Sequence, residues 1–369
     1  MRYLVMVCLT ACALLACNDA PVVFEQAQPQ LPVTPYAYAP QIPEKTDVTD
    51  DIRDKASQID DDVATLGRVL FYDKKLSVNN RLACAGCHFQ NQAFSDGKAV
   101  SPGFARDLTS RNAMAIVNPL TQTSFFWDGR TKNLRQMVLA PVQNHVEMGL
   151  EDMAELEVKL AAVPYYEGLF TKAFGEKTVT REHVSQALTE FLQSMTSFQS
   201  AYDEGLENDF ANFSDTEKRG KDLFFGIAGC SGCHNGPDLR QWLPPWGQGW
   251  EETWANTGLE AEPVDEGAGV HDPNQKGVFR APSLRNVALT GPFMHDGRFA
   301  SLMDVVDHYN DGVVANEHLD WRLAESNFTG EIIAKKLNLS SNDKMALVAF
   351  LETLTDNELL ISDKFSDPF

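Results

Sequence analysis

The pentapeptides Cys84-Ala85-Gly86-Cys87-His88 and Cys230-Ser231-Gly232-Cys233-His234 are two copies of one pattern, Cys-x-x-Cys-His, in well-separated parts of the chain. Two thiols at that spacing can form thioethers to the vinyl groups of a haem, and the turn between them places the following imidazole to bind iron from the proximal side. A thioredoxin-like redox pair would need a βαβ pattern around it, and a zinc site further Cys and His pairs. The windows around both motifs show neither. The expectation is two covalently attached haems held by Cys84, Cys87, Cys230 and Cys233, with His88 and His234 as iron ligands.

The other three of the seven cysteines lie near the start. Cys8 and Cys12 fall in the apolar run from Tyr3 to Ala16 behind Arg2, which is too short to span a bilayer and reads as a signal peptide over residues 1–16. Leu14-Leu15-Ala16-Cys17 resembles a bacterial lipobox, in which cleavage frees Cys17 for acylation. An ordinary signal peptide cut at a small residue would instead leave Cys17 as a loose thiol. Export suits the haem motifs, because c-type haem is attached outside the bacterial cytoplasm. With no second apolar run of spanning length, membrane contact is expected through lipid alone, on the periplasmic side.

The balance of 31 Lys and Arg against 52 Asp and Glu, a formal charge of −21, excludes nucleic acid as a partner. An acidic surface could steer a basic cytochrome, or serve solubility alone. The chain beyond the leader is long enough for two domains, each with a core around one haem.

Those motifs must be positioned by helices. Residues 17–58 carry Pro21, Pro29, Pro32, Pro35, Pro40 and Pro43 without apolar periodicity and read as an extended, disordered tether. From about Asp60, Val63, Leu66, Val69 and Leu70 recur at helical spacing and lead into the first motif. Helical patterns occupy 153–163, ending at Pro164, and 181–202 as one long run. Ser214 and Glu217 make a capping-box pattern before a helix ending at Phe225, just ahead of the second motif. The stretch 238–279, with Trp242, Pro244, Pro245, Trp246 and several glycines, reads as a long loop over the haem. Helices then run over 301–310 and 342–354. The fold class is mainly α: two cytochrome c-like haem domains, 59–210 and 211–369, with long irregular loops.

Further strings occur in a fixed order around the motifs: Arg111-Asn112-Ala113, Phe126-Trp127-Asp128-Gly129-Arg130, Pro141 with Glu147-Met148-Gly149, and Ala281-Pro282-Ser283-Leu284-Arg285-Asn286 through Met294-His295-Asp296-Gly297-Arg298. With them the chain, from about residue 60 to 355, resembles the bacterial di-haem cytochrome c peroxidase superfamily, which includes MauG, an enzyme that completes a tryptophan-derived quinone in a partner protein. The resemblance implies a peroxide-reactive N-terminal haem and a C-terminal haem that exchanges electrons with a partner. It implies Glu147 as the acid/base, a residue that, taken alone, would more often be a solvated surface carboxylate. It implies Trp127 as a relay between the haems, where core aromatics are the plain alternative. Asn112, Thr290 and Pro292 match positions that bind calcium in relatives, partly through backbone carbonyls. His295 and Arg298 could contact haem propionates, or serve structure only.

Three departures bear on the branch. Many cytochrome c peroxidases close the peroxide-reactive iron with a distal His; here no His lies between His88 and Arg111, and Phe104 stands where that ligand would fall. The first iron is therefore expected to be five-coordinate or water-bound. Where those enzymes carry an axial Met on the second haem, this chain has Tyr309, as in MauG, on the helical face shared by Leu302, Val305 and Val306. Met294, Met303 or His308 would be the iron ligand if Tyr309 only packs. Met raises an iron potential, whereas a phenolate-like Tyr favours the oxidised metal. Met137 replaces a frequent Gln near Glu147.

The reading is an oxidoreductase that reduces hydrogen peroxide with electrons from a cytochrome c or cupredoxin. The alternatives are a MauG-like enzyme that uses peroxide to oxidise side chains of a partner protein, and a di-haem electron carrier without peroxide chemistry.

Overall fold

The computed structural model describes residues 27–243, 250–326 and 330–369. The expected signal peptide 1–16, with Cys8 and Cys12, and the expected anchor Cys17 lie outside the described residues. Among those described, no helix is long and apolar enough to cross a membrane. The fold is mainly helical, and the strands among the described residues form three two-stranded antiparallel ladders.

The helix Asp61–Tyr72 starts where the sequence places it. The Asp60 side chain accepts from the backbone N–H groups of Asp62 and Val63, and Asp61 and Asp62 suit the positive end of the helix. Val63, Leu66, Val69 and Leu70 are all buried. This helix crosses Arg181–Ser194 at Gly67, where a Cβ would lie 1.9 Å from the Ala187 carbonyl oxygen and 2.7 Å from Phe191 Cβ. The second half repeats the crossing. The helix Asp215–Phe225, with its Ser214/Glu217 capping box, meets Ser341–Glu352 at Gly220, where a Cβ would lie 1.9 Å from Ala346 O and 2.8 Å from Phe350 Cβ. After each glycine-bearing helix comes a 3₁₀ turn carrying the cysteines, Cys84–Gly86 and Cys230–Gly232.

Two cores result. One gathers Leu66, Leu70, Phe71, Leu156, Phe170 and Phe191; the other Leu223, Phe224, Leu302, Val306, Leu347 and Phe350. A polar seam joins them through two asparagines in the left-handed region, Asn118 (φ 48°) and Asn286 (φ 61°). The Asn118 amide donates to Asp238 at 2.7 Å while its oxygen accepts from Ser197 N–H at 2.7 Å. Asn286 donates to the Ser197 hydroxyl at 2.9 Å and accepts from Asp356 N–H at 2.8 Å. Beside them the buried Arg285 pairs with both Asp203 oxygens at 2.8 and 2.9 Å.

Several sequence expectations are corrected. The segment 27–58 is no disordered tether: Tyr38 is 0 % exposed against Phe191, its N–H donates to Asp61 at 2.8 Å, and Arg53 gathers the carbonyls of Ile42, Pro43 and Thr46. A helix comes next at Asp50–Ser57. One tyrosine and one arginine anchor this strap, and neither makes a periodic signal. The chain end also returns to the first core with Leu359 and Phe365. The run 181–202 breaks after Ser194 and restarts at Ala201–Asn208, because residues 195–199 carry the seam with Asn118 and Ser200 caps a new helix. Pro164 opens a helix, Pro164–Phe174, at the position where its missing N–H costs nothing. In 238–279 short strands form, Gln241–Trp242 with Glu251–Glu252 and Trp254–Ala255 with Phe279–Arg280. Residues 244–249, with Pro244, Pro245 and Trp246, lie outside the described residues.

Gly67→Ala should destabilise the protein by about 1–3 kcal/mol or more, because backbone rather than a movable side chain blocks the methyl group. Gly168→Ala, on an exposed helix face with nothing within 4 Å, should stabilise it by about 0.5–1 kcal/mol. Thermal unfolding of the two variants beside the parent checks both signs.

Candidate functional site

Each motif histidine is held by one backbone carbonyl. His88 Nδ1–H donates to Phe94 O at 2.7 Å, and His234 Nδ1–H donates to Leu239 O at 2.9 Å. A carbonyl can only accept, so the proton sits on Nδ1 and Nε2 keeps its lone pair for a metal. The accepting residues occupy the left-handed region, Phe94 at φ 59° and Leu239 at φ 51°, which turns their carbonyls back toward the rings. Burial lowers both imidazole pKa values, that of His234 to about 4, so both rings stay neutral. Burial also pushes Cys84 and Cys230 up to about 12 and Cys87 and Cys233 to about 11. Thiols so reluctant to ionise are unlike a reactive redox pair. Among the described residues no group of three or more His, Cys, Asp and Glu stands together as a metal site.

Beside the second motif lies a cavity of about 410 Å³ walled by Cys230, Cys233 and His234 on one side. Leu302, Val305, Val306 and Tyr309 all line it, which is the helical face expected from their spacing. The helix Leu302–Asp307 widens into a π turn, His308–Gly312, at Tyr309. Such turns are frequent at functional positions. Burial above all, then the neighbouring Cys233 and Cys230, raises the Tyr309 pKa far above the usual phenol range, opposed by a hydrogen bond with the Thr257 side chain. His308 turns away: its Nε2–H donates to the Thr257 carbonyl at 2.9 Å. Met294 lines the cavity, and Met303 is not among its walls. Apolar walls, two thiols and a free imidazole nitrogen suit a covalently bound haem.

Trp127, Asn112, Thr290 and Pro292 line the same cavity. The Trp127 indole N–H donates to Asn112 O at 3.0 Å, Asn112 N–H donates to His295 O at 2.7 Å, and Arg280 N–H donates to Trp127 O at 2.9 Å. The Asn112 side-chain amide donates to Lys98 O and the Thr290 hydroxyl to Val287 O. His295 stacks on Phe279 at 3.9 Å, and Arg298 is held by Asp296 and Glu260.

Glu147 belongs to the first motif. Its charge is felt at Cys84 and Cys87, and burial raises its own pKa against the opposing charge of Arg130. Phe104 is fastened to the same loop: its N–H donates to Glu147 O at 2.8 Å, and its ring lies against Gly149, whose φ of 73° needs glycine. Met137 packs on the first core.

Several neighbours escaped sequence reasoning. Arg111 bridges Asp128 at 2.6 Å and Asp265 at 2.7 Å. Thr253 donates to Cys233 O at 2.8 Å, Arg322 to Gly232 O at 2.9 Å, and Thr257 serves both Tyr309 and His308. An internal repeat could have pointed to part of this. Phe125-Phe126-Trp127-Asp128-Gly129-Arg130 parallels Phe293-Met294-His295-Asp296-Gly297-Arg298, with Phe126 and Met294 both left-handed at 67° and 72°. At the same offset Asn118 corresponds to Asn286.

Repeated helix crossings, each delivering a Cys-x-x-Cys-His turn with a neutral, carbonyl-held imidazole, define a two-haem c-type protein. A family model described as di-haem cytochrome c peroxidase matches residues 61–211. The methylamine utilization protein MauG of Methylorubrum extorquens is 32 % identical over 81 % of this chain and 80 % of its own, and the cytochrome c551 peroxidase of Nitrosomonas europaea is 29 % identical over 80 % and 81 %. A crystal structure of a MauG-like protein associated with microbial copper homeostasis matches with a TM-score of 0.74 and 35 % identity, covering 89 % of this chain and 97 % of that one. The chain belongs to the di-haem cytochrome c peroxidase family, is an oxidoreductase, and carries two c-type haems.

Replacing Cys230 and Cys233 together by Ala should remove one of the two haems. Haem stain and mass of the denatured chain should fall to the value for a single attachment; two retained haems would refute the assignment.

Proposed function

We propose that the chain uses hydrogen peroxide to oxidise side chains of a partner protein, in the manner of the MauG-like branch. Two cytochrome c-like domains, 59–210 and 211–369, would each hold one haem: the first on Cys84, Cys87 and His88, the second on Cys230, Cys233, His234 and Tyr309. When bound, the haems supply the iron that takes up the oxidising equivalents of peroxide. Glu147 takes the proton from the near oxygen of the peroxide and returns it to the departing one. Phe104, in place of an imidazole, would offer the first iron no ligating atom. Trp127 connects the two sites. Asn112, Thr290 and Pro292 would hold calcium. Residues 1–16 would direct export, and acylated Cys17 would anchor the protein on the periplasmic side of a membrane.

The observation that carries the choice of branch is Tyr309 in the wall of the cavity shared with His234, while His308 is bound to Thr257. A Tyr ligand favours the oxidised metal, which suits storage of oxidising power better than uptake of electrons from a cytochrome. The second reading, peroxide reduction with electrons from a cytochrome c or cupredoxin, is supported by the similarity to the cytochrome c551 peroxidase.

Glu147→Gln should slow the peroxide-induced spectral change by about 10²–10⁴-fold. In the parent, that rate should fall with decreasing pH through the raised pKa of Glu147, because the base must be ionised; the acid limb lies above the ordinary carboxylate value. An unchanged rate in the variant would sink the assignment. Separately, the parent should oxidise reduced cytochrome c slowly with peroxide, and Tyr309→Met should raise the second haem's potential and speed that turnover. Fast turnover by the parent would select the scavenger reading.

A further inference from the structure

We propose that Trp321 is the port through which the second haem site draws electrons from the partner's oxidisable side chain. The inference rests on the peroxide-driven reading above and adds the point of exit. Among the residues that line the cavity, besides Cys230 and Cys233, whose sulfurs would be bound to the haem, Trp127, Tyr309, Met114, Met294 and Trp321 carry the readily oxidised side chains. The first four are half-buried, whereas Trp321 is 70 % exposed. It alone of these touches both the haem space and solvent broadly.

The neighbours of Trp321 suit the task. It opens the 3₁₀ turn Trp321–Leu323, capped by the Asp320 side chain. Arg322 ties the turn to the haem motif, donating to Gly232 O at 2.9 Å and to Trp254 O at 3.1 Å. The guanidinium lies 5.7 Å from the centre of the Trp321 ring, and its charge, which would resist removal of an electron, is offset by Asp320 at 2.7 Å. The half-exposed Ile332 and Ile333 come next, on a hairpin whose Lys335 N–H donates to Leu323 O at 2.8 Å. An exposed indole with an arginine beside it combines two residue types enriched at the centres of protein-binding surfaces. With a chain charge of −21, the partner that fits is a protein presenting an aromatic side chain within a basic rim.

The step balances. Each peroxide takes two electrons and two protons to become two waters. Trp321 gives one electron inward and releases its indole proton, then regains one electron and one proton from the partner's aromatic ring. Two such cycles withdraw two electrons from the partner. With no partner, the indole is not restored; it loses two electrons and two protons and gains the oxygen of a water molecule.

The test uses the full di-haem protein with hydrogen peroxide alone. After exposure, peptide mass analysis should find a gain of one oxygen concentrated at Trp321 rather than at Trp250 or Trp254. Trp321→Phe should prolong the peroxide-induced spectrum several-fold, and Trp321→Tyr, which restores an oxidisable ring, should shorten it again. Oxidation spread over other residues, with an unchanged lifetime in the Phe variant, would overturn the port. The mass measurement is made on the unaltered protein, so it stands whatever the variants do. If the unaltered protein shows no peroxide-induced spectrum, the peroxide reading itself fails, an outcome distinct from a spectrum that decays without marking Trp321.

Discussion

Two helices in each half approach so closely that a side chain at their crossing would strike backbone. Gly67 faces the Ala187 carbonyl and Gly220 the Ala346 carbonyl at the same 1.9 Å from a notional Cβ. The contact fixes the direction in which the first helix of each pair releases the chain, and hence where the turn with the two thiols and the imidazole falls. The phenylalanine one turn further along the partner helix, Phe191 or Phe350, closes each crossing and belongs to the core of that half. The partial burial of the cysteines and the neutrality of the histidines follow from this placement, since the turns lie against packed helices.

On that shared frame the two sites diverge by small local means. The first half places an ionisable carboxyl, Glu147, beside its motif, with the Phe104 ring, which has no ligating atom, packed against Gly149 of the same loop. The second half inserts an extra residue's worth of helix, the π turn, and Tyr309 enters the cavity there. One repeated scaffold so presents a carboxyl-bearing site and a phenol-lined one, with Trp127, Asn112 and Arg280 hydrogen-bonded between the halves.

The features legible in the sequence were those that depend on spacing. The two motifs, the amphipathic helix before the first, the capping box before the second and the face holding Tyr309 all survive in three dimensions. The features that were not legible depend on single anchoring contacts. Tyr38 and Arg53 order a Pro-rich segment by one buried ring and one guanidinium shared among carbonyls, and no periodicity accompanies either. The break after Ser194 is caused by Asn118, distant in sequence. Thr257 and Arg322 act on the second site through backbone and side-chain contacts from loops, where residue type carries little positional information.

The return of Leu359 and Phe365 to the first core has a bearing on how the protein is made. A chain synthesised from its N-terminus presents Cys84 and Cys87 early, yet the hydrophobic body behind them is not closed until Leu359 and Phe365 have been made. The first attachment site therefore stays accessible for the longest part of maturation. The order in which the segments appear is the reverse of the order in which the first half is sealed.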